Sequence, residues 1–87
     1  MNFLHYEVDL RPGESVEVTL DTRANVKLLD ASNFEAYRSG RQHRFYGGQA
    51  MRSPVNIVPP HSGKWHVVVD LGGYAGTVRA SVRTVRG

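Results

Sequence analysis

The chain has 87 residues, a formal net charge of +3 and no cysteine. This length fits one domain with a small core and leaves no room for a nucleotide-binding fold joined to a second domain. The absence of cysteine excludes disulfide frameworks, zinc–cysteine sites and thiol nucleophiles. Apolar residues make up 40% of the chain, which is too many for a disordered polypeptide.

The first residues lack the pattern of a signal peptide, because no basic segment precedes an apolar one and an acid occurs as early as Glu7. The longest strictly apolar run is the three valines at 67–69, far shorter than the ~20 residues that a membrane span needs. We therefore expect a cytoplasmic protein that does not bind membranes.

Charge is divided unevenly along the chain. Residues 1–35 carry seven acids and three bases (−4), whereas residues 36–87 carry eight bases and one acid (+7). This division is typical either of a basic binding surface or of two chain ends that pair in the fold. We favour pairing. If the first and last strands are neighbours, Glu7 and Asp9 of the first face Arg79 and Arg83 of the last.

Apolar side chains alternate with polar ones in three consecutive segments near the start: Leu4, Tyr6, Val8 and Leu10; Val16, Val18 and Leu20; and Val26 and Leu28. Alternation with a period of two predicts half-buried strands. Residues 11–14, Arg-Pro-Gly-Glu, are typical of a turn. The first two strands are therefore predicted to form a β-hairpin.

The periodicity changes after residue 31. Ser32 and Glu35 have the spacing of a capping box, and Phe34 and Tyr37 have helical spacing. Gly40 is typical of a helix end. We predict one short helix here, followed by an irregular segment at 41–52 in which residues 43–46 form a short strand.

Strand patterns return in the second half of the chain. Val55 and Ile57 are predicted to face inward from a short strand. Residues 64–71 form the strongest strand pattern, with Trp65 among the inward side chains, and residues 78–83 form the last. The whole chain, 1–87, is thus predicted to be a single mainly all-β domain: a β-sandwich of about seven short antiparallel strands with one short helix.

The segment 37–52 combines four arginines with three aromatic residues. Arginine donates paired hydrogen bonds to phosphate and carboxylate groups, and exposed aromatic rings can stack on bases. The candidate ligand-binding residues are Arg38, Arg41, Arg44 and Arg52 for anions, and Tyr37, Phe45 and Tyr46 for stacking or apolar contact. The alternative interpretation, which we favour, is a solvated loop whose aromatic side chains fill the edge of the sandwich.

The sequence contains no pattern for a metal ion, a cofactor or catalysis. His61 lies in a predicted turn, and His66 and Asp70 are about 13 Å apart along their strand, too far to share one ion. No Gly-x-Ser-x-Gly motif occurs. Carboxylates on an open sheet lack the burial that raises a pKa for acid–base work. We expect no enzymatic activity.

Residues 28–40, 46–48 and 63–73 resemble a small bacterial family described as a domain of unknown function, which occurs alone or joined to Toll/interleukin-1 receptor (TIR) domains. The resemblance implies a compact β-sandwich and supplies no catalytic residues. A looser similarity to bacterial pre-peptidase C-terminal β-sandwiches concerns architecture alone.

Two functions follow as hypotheses. The first is a non-enzymatic binding or interaction module with a protein partner, serving by resemblance as a sensing or adaptor domain in bacterial cytoplasmic signalling. The second is nucleic-acid or nucleotide binding through residues 37–52. The sequence leaves self-association open.

Overall fold

The alternating segments form strands and the segment of helical spacing forms a helix in the computed structural model, which describes residues 3–86. The strands are β1 (Phe3–Leu10), β2 (Glu14–Leu20), β3 (Ala24–Leu29), β4 (Tyr46–Ala50), β5 (Val55–Ile57), β6 (Gly63–Asp70) and β7 (Ala80–Arg86). The helix α1 (Ala31–Arg38) lies between β3 and β4 in the chain.

The strands form two antiparallel sheets. One has the order β1-β6-β3-β4 and the other the order β5-β2-β7. Their facing sides enclose the core, in which Val16 and Val18 of β2 belong to the same buried cluster as Trp65, Val67 and Val69 of β6. The predicted β-sandwich with one short helix is confirmed.

The predicted hairpin between the first two strands is wrong. β1 pairs with β6, and β2 pairs with β5 and β7, so the first two strands lie in different sheets. The turn itself forms, since the Glu14 amide donates to the Arg11 carbonyl at 3.0 Å. An alternating pattern fixes which side chains face inward, but a tight hairpin and a crossing between sheets satisfy it equally.

The outer face of the four-stranded sheet is covered by α1. Phe34 and Tyr37 of the helix pack with Leu29 and Val68 in a second buried cluster, and Phe3 borders it. The residues of β6 from Trp65 to Asp70 are consequently buried on both faces of the strand. Among residues 3–86, no helix is long and apolar enough to cross a membrane.

The helix begins earlier than the predicted capping box. Asp30 is the N-cap, and its carboxylate accepts hydrogen bonds from the Asn33 backbone amide (2.8 Å) and the Ser32 hydroxyl (3.2 Å). The bond from the Asn33 amide lowers the pKa of Asp30. At the other end, Gly40 follows the C-cap residue with φ of 74°, so the predicted helix end is confirmed.

Replacing Asp30 with alanine should lower the free energy of unfolding by about 1 kcal/mol, because the first turn loses its capping acceptor. Ser32→Ala is the matched control, since Ser32 donates to Asp30 and caps no amide. Urea unfolding should show a loss for Ser32→Ala well below that of Asp30→Ala. Equal losses would contradict the assignment of Asp30 as the N-cap.

Charge pairing between the two halves of the chain occurs, but not between the predicted strands. Arg83 of β7 donates to Glu17 of β2 at 2.7 Å, and the two residues are directly opposite in register. Glu7 and Asp9 face β6 instead, because β1 pairs with that strand. The first and last strands lie in different sheets, so the facing of Glu7 and Asp9 with Arg79 and Arg83 that neighbouring strands would give does not occur.

The predicted strand at 43–46 is also wrong, since β4 begins at Tyr46 and continues through two glycines to Ala50. The preceding connection is tied to the helix. The Arg41 amide donates to the Ala36 carbonyl at 2.8 Å, and the Arg44 amide donates to the Asn33 side chain at 2.8 Å. These bonds to α1 replace the strand pairing that the pattern had favoured.

Candidate functional site

A groove of about 550 Å³ lies between the free edges of β4 and β5. Each of these strands pairs on one side only, β4 with β3 and β5 with β2. Tyr46, Arg52 and Val58 line the groove together with the glycines of β4. A free strand edge offers unpaired amides and carbonyls to an added strand.

Two consecutive glycines leave the middle of the β4 edge bare. Gly47 and Gly48 have φ values of 109° and 144°, a region that side-chain-bearing residues rarely adopt. A Cβ on Gly47 would lie 2.3 Å from the Val26 carbonyl oxygen. The close approach of β4 to β3 therefore requires glycine at this position, and the same choice exposes the backbone to the groove.

Exposed apolar side chains line this groove and flank β4 in the chain. Tyr46 and Val58 line the groove, Phe45 and Met51 are exposed directly before and after β4, and Tyr74 is exposed in the loop after β6. Met51 and Val58 are 58% and 73% exposed. A cluster of apolar side chains beside an unpaired edge is typical of an interaction surface.

The structure separates the four candidate arginines. Arg52 lines the groove, and Arg41 and Arg44 are exposed on the connection that leads into β4. Arg38 lies on α1, where it donates to Glu35 at 2.6 Å. Among residues 3–86, no carboxylate forms an ion pair with Arg41, Arg44 or Arg52. These three guanidinium groups are therefore available to an anionic partner.

The three candidate aromatic rings differ in what they offer a ligand. Tyr37 is 2% exposed and belongs to the core, so it presents no face for stacking. The Phe45 ring has the Lys27 ammonium 4.6 Å from its centroid, which occupies one face. Tyr46 contacts Trp65 at a centroid distance of 6.0 Å while remaining exposed to the groove.

A buried hydrogen-bond network fixes the helix to the sheet. Asp70 at the end of β6 accepts from the Tyr37 hydroxyl (2.5 Å), the Asn25 side chain (2.9 Å) and the Gly72 amide (2.9 Å). Burial alone would raise the pKa of Asp70, but these donors outweigh it and hold that pKa below its usual value. Burial and the bond to Asp70 raise the pKa of Tyr37 well above its usual range. Asp70 is thus an ionised, fully bonded structural group.

Two histidines from different strands lie side by side against the helix. His5 Nε2 and His66 Nδ1 are 2.8 Å apart. Both imidazole rings stack on the Phe34 ring, with centroid distances of 4.1 and 4.6 Å. Burial lowers the pKa of His66, and the neighbouring His5 lowers it further. The His66 imidazole is therefore neutral at neutral pH.

The predicted hairpin does not bring these two histidines together, because it pairs β1 with β2 instead of β6. In the sequence His5 lies far from His66, whose nearest candidate ligands along the chain are His61 and Asp70. One signal was present: His5 and Glu7 are two residues apart on an alternating strand and so share a face. The missing information was the identity of the neighbouring strand.

A family model described as a domain of unknown function (DUF1883) matches residues 1–87. No curated protein and no solved structure matches the chain. The match includes all three segments that carry the resemblance seen in the sequence, and the predicted relation to a family of unknown function is confirmed.

Proposed function

This chain belongs to the DUF1883 family of domains of unknown function, and we propose that it is a non-enzymatic protein-interaction module. The partner is a protein that presents an extended acidic segment. That segment adds to the free edge of β4 and lies in the groove between β4 and β5. The observation that carries the proposal is the unpaired edge of β4, bare at two glycines and flanked by exposed apolar and unpaired cationic side chains.

Strand addition supplies the affinity through the backbone. β4 has five residues, which corresponds to an edge of about 16 Å. An added strand forms main-chain hydrogen bonds along such an edge, and its alternate side chains enter pockets beside it. The exposed Tyr46 and Val58, which line the groove, offer the apolar contacts that these side chains need.

Charge selects an acidic partner over a second copy of the chain. Residues 36–87 carry eight bases and one acid, and that acid is the buried Asp70. In an antiparallel pairing of two β4 edges, Arg44, two residues before the strand, would approach Arg52 of the second copy, two residues after it. Like charges brought together in this way disfavour association, whereas Asp or Glu on the added strand would pair with these arginines.

Nucleic-acid binding through the same surface is the weaker candidate. Base stacking needs open ring faces, yet Tyr37 is buried and Lys27 occupies one face of Phe45. The exposed Met51 and Val58 suit aliphatic side chains better than bases.

The resemblance to a family that also occurs joined to TIR domains further supports a sensing or adaptor role in bacterial cytoplasmic signalling.

Fluorescence anisotropy with labelled peptides of about ten residues tests the proposal. An alternating Glu-Val peptide should bind saturably, and the matched Lys-Val peptide should not. Arg52→Ala should weaken binding of the Glu-Val peptide about ten-fold, which corresponds to the loss of one charge-assisted contact. Arg79→Ala is the control, since Arg79 is exposed and precedes β7, in the other sheet from β4.

Amide shifts in ¹H–¹⁵N spectra should locate the peptide on residues 46–50. Equal binding of both peptides, or an unchanged affinity in Arg52→Ala, would contradict the proposal. Labelled oligo(dT) is measured in parallel at about 50 and 200 mM salt. Tight, steeply salt-dependent binding of the oligonucleotide that Arg52→Ala weakens would favour nucleic acid as the ligand instead.

A further inference from the structure

Three potential metal ligands converge on the outer face of the β1–β6 pair. His5 and Glu7 lie two residues apart on β1, and Glu7 is directly opposite His66 of β6 in register. One ligand atom from each of the three residues lies within 4.8 Å of the others. The cluster combines two imidazole nitrogens with one carboxylate oxygen, and its two histidines are 61 positions apart in the chain.

We propose that His5, Glu7 and His66 form a binding site for a divalent transition-metal ion of the zinc class. Zn²⁺, Co²⁺ and Ni²⁺ bind a set of two imidazole nitrogens and one carboxylate oxygen more tightly than Mg²⁺ or Ca²⁺ do. The ligand atoms are His5 Nε2, His66 Nδ1 and a Glu7 carboxylate oxygen. Three protein ligands leave a fourth tetrahedral position open to water.

The geometry requires only a small adjustment. Zn–N bonds of about 2.0–2.1 Å place two tetrahedral nitrogens roughly 3.4 Å apart. His5 Nε2 and His66 Nδ1 now lie 2.8 Å apart. An ion would replace their hydrogen bond and widen the gap by about 0.6 Å, a shift that side-chain rotation supplies because His5 is exposed.

Phe34 holds the two imidazoles in a common orientation. Its ring is inclined by 17° to His5 and by 3° to His66, and the two imidazoles are inclined by 20° to each other. Stacking on one phenyl ring therefore keeps the planes of both imidazoles nearly parallel, with two of their nitrogens within hydrogen-bond distance. The two histidine side chains are therefore already restricted, and they lose little rotamer freedom when an ion binds.

Charges of both signs lie around the cluster. Asp30 and Lys64 are close enough to act on His66 with opposite signs. Asp9 is directly opposite Lys64 in register, on the same face of β1 as Glu7. The site lies at the β1 edge of the four-stranded sheet, whereas β4 is the other edge, so this inference does not rest on the proposed function.

Titration of the untagged chain with ZnCl₂ by calorimetry, and with CoCl₂ by visible absorption, tests the site. We expect one ion per chain with a dissociation constant on the order of 1 μM, and cobalt absorption bands of four-coordinate intensity. His5→Gln and Glu7→Gln each remove one ligand and should weaken binding at least about ten-fold. Both residues are exposed, so these variants should keep the fold, which circular dichroism checks.

His43→Gln and His61→Gln are the matched controls, because both histidines lie outside the cluster and should bind the ion as the wild type does. In ¹⁵N spectra, Zn²⁺ should shift the ring nitrogens of His5 and His66 and leave those of His43 and His61 in place. Absence of saturable binding, or binding that neither His5→Gln nor Glu7→Gln weakens, would overturn the proposal and leave the pair as a hydrogen bond beside Phe34.

Discussion

Asp70→Ala should lower the free energy of unfolding by about 3–5 kcal/mol, because it leaves three donors without their acceptor. These donors are the Tyr37 hydroxyl, the Asn25 amide group and the Gly72 amide. Each unpaired buried donor costs about 1–3 kcal/mol. Asn25 and Gly72 are not fully buried, so water partly replaces the lost acceptor there. The expected loss therefore lies in the lower half of the ~3–9 kcal/mol that three fully buried donors would cost.

Asp70→Asn is the matched control for this prediction. The amide has the same size and keeps one acceptor oxygen for Asn25 and Gly72, while the Tyr37 hydroxyl can turn to accept from its NH₂ group. In urea unfolding, Asp70→Asn should lose less than half as much free energy of unfolding as Asp70→Ala. Equal destabilisation of the two variants would mean that the carboxylate charge, and not the number of hydrogen bonds, holds the network together.

The same network predicts how stability depends on pH. Asp70 has a lowered folded pKa, so its contribution is present above the usual value of 3.8 and is lost as pH falls through the folded pKa. Tyr37 has a raised folded pKa, so its contribution is present below 10.0 and is lost as pH rises above that value. The difference in unfolding free energy between the wild type and Tyr37→Phe should be largest between about pH 5 and 9 and should shrink on both sides. A difference that stays constant from acid to alkaline pH would contradict this assignment.

Gly47→Ala should destabilise the fold by about 2–6 kcal/mol, through backbone strain and a close contact together. A φ of 109° costs a side-chain-bearing residue about 1–3 kcal/mol. The new Cβ would also lie 2.3 Å from the Val26 carbonyl oxygen and 3.0 Å from Ile57 Cδ1. The Val26 carbonyl cannot yield without moving a strand, which adds about 1–3 kcal/mol. β4 should therefore separate from β3.

Gly13→Ala is the control that separates backbone strain from the close contact with the Val26 carbonyl. Gly13 has φ of 84° and nothing within 4 Å of its Cβ position, so only the conformational penalty applies. Urea unfolding measures both variants, and hydrogen exchange should show lost protection of residues 46–50 in Gly47→Ala alone. Equal destabilisation by the two substitutions would refute the close contact with Val26. Gly47→Ala should also abolish binding of the Glu-Val peptide, because the edge that receives it moves.

Both candidate surfaces, the β4 edge and the histidine cluster, depend on the same helix, α1. Phe34 of α1 stacks on the histidine pair, and Tyr37 of α1 bonds to Asp70. The Arg41 and Arg44 amides bond to α1 as well, which positions the connection into β4. Variants that loosen the Tyr37–Asp70 bond should consequently change both surfaces, whereas Arg52→Ala and His5→Gln should each affect one.

The sequence by itself determined which side chains face the core. Alternation placed Val16, Val18, Val26, Leu28 and Ile57 inside, where all five are buried. Helical spacing placed Phe34 and Tyr37 on one face of α1. These patterns are local, because the period of a strand or helix is set by the backbone of that segment alone. They also marked 37–52 as rich in arginine and aromatic residues, though not which of those rings are buried.

Only the tertiary structure decided which strands are neighbours. The pairing of β1 with β6 brings His5 and Glu7 to His66, the packing of α1 onto the sheet buries Tyr37 against Asp70, and the sheet order leaves β4 as a free edge. Each of these depends on groups contributed by residues far apart in the chain. A period-two pattern is the same whichever strand lies beside it, because it specifies the face of a side chain and not the partner of a backbone.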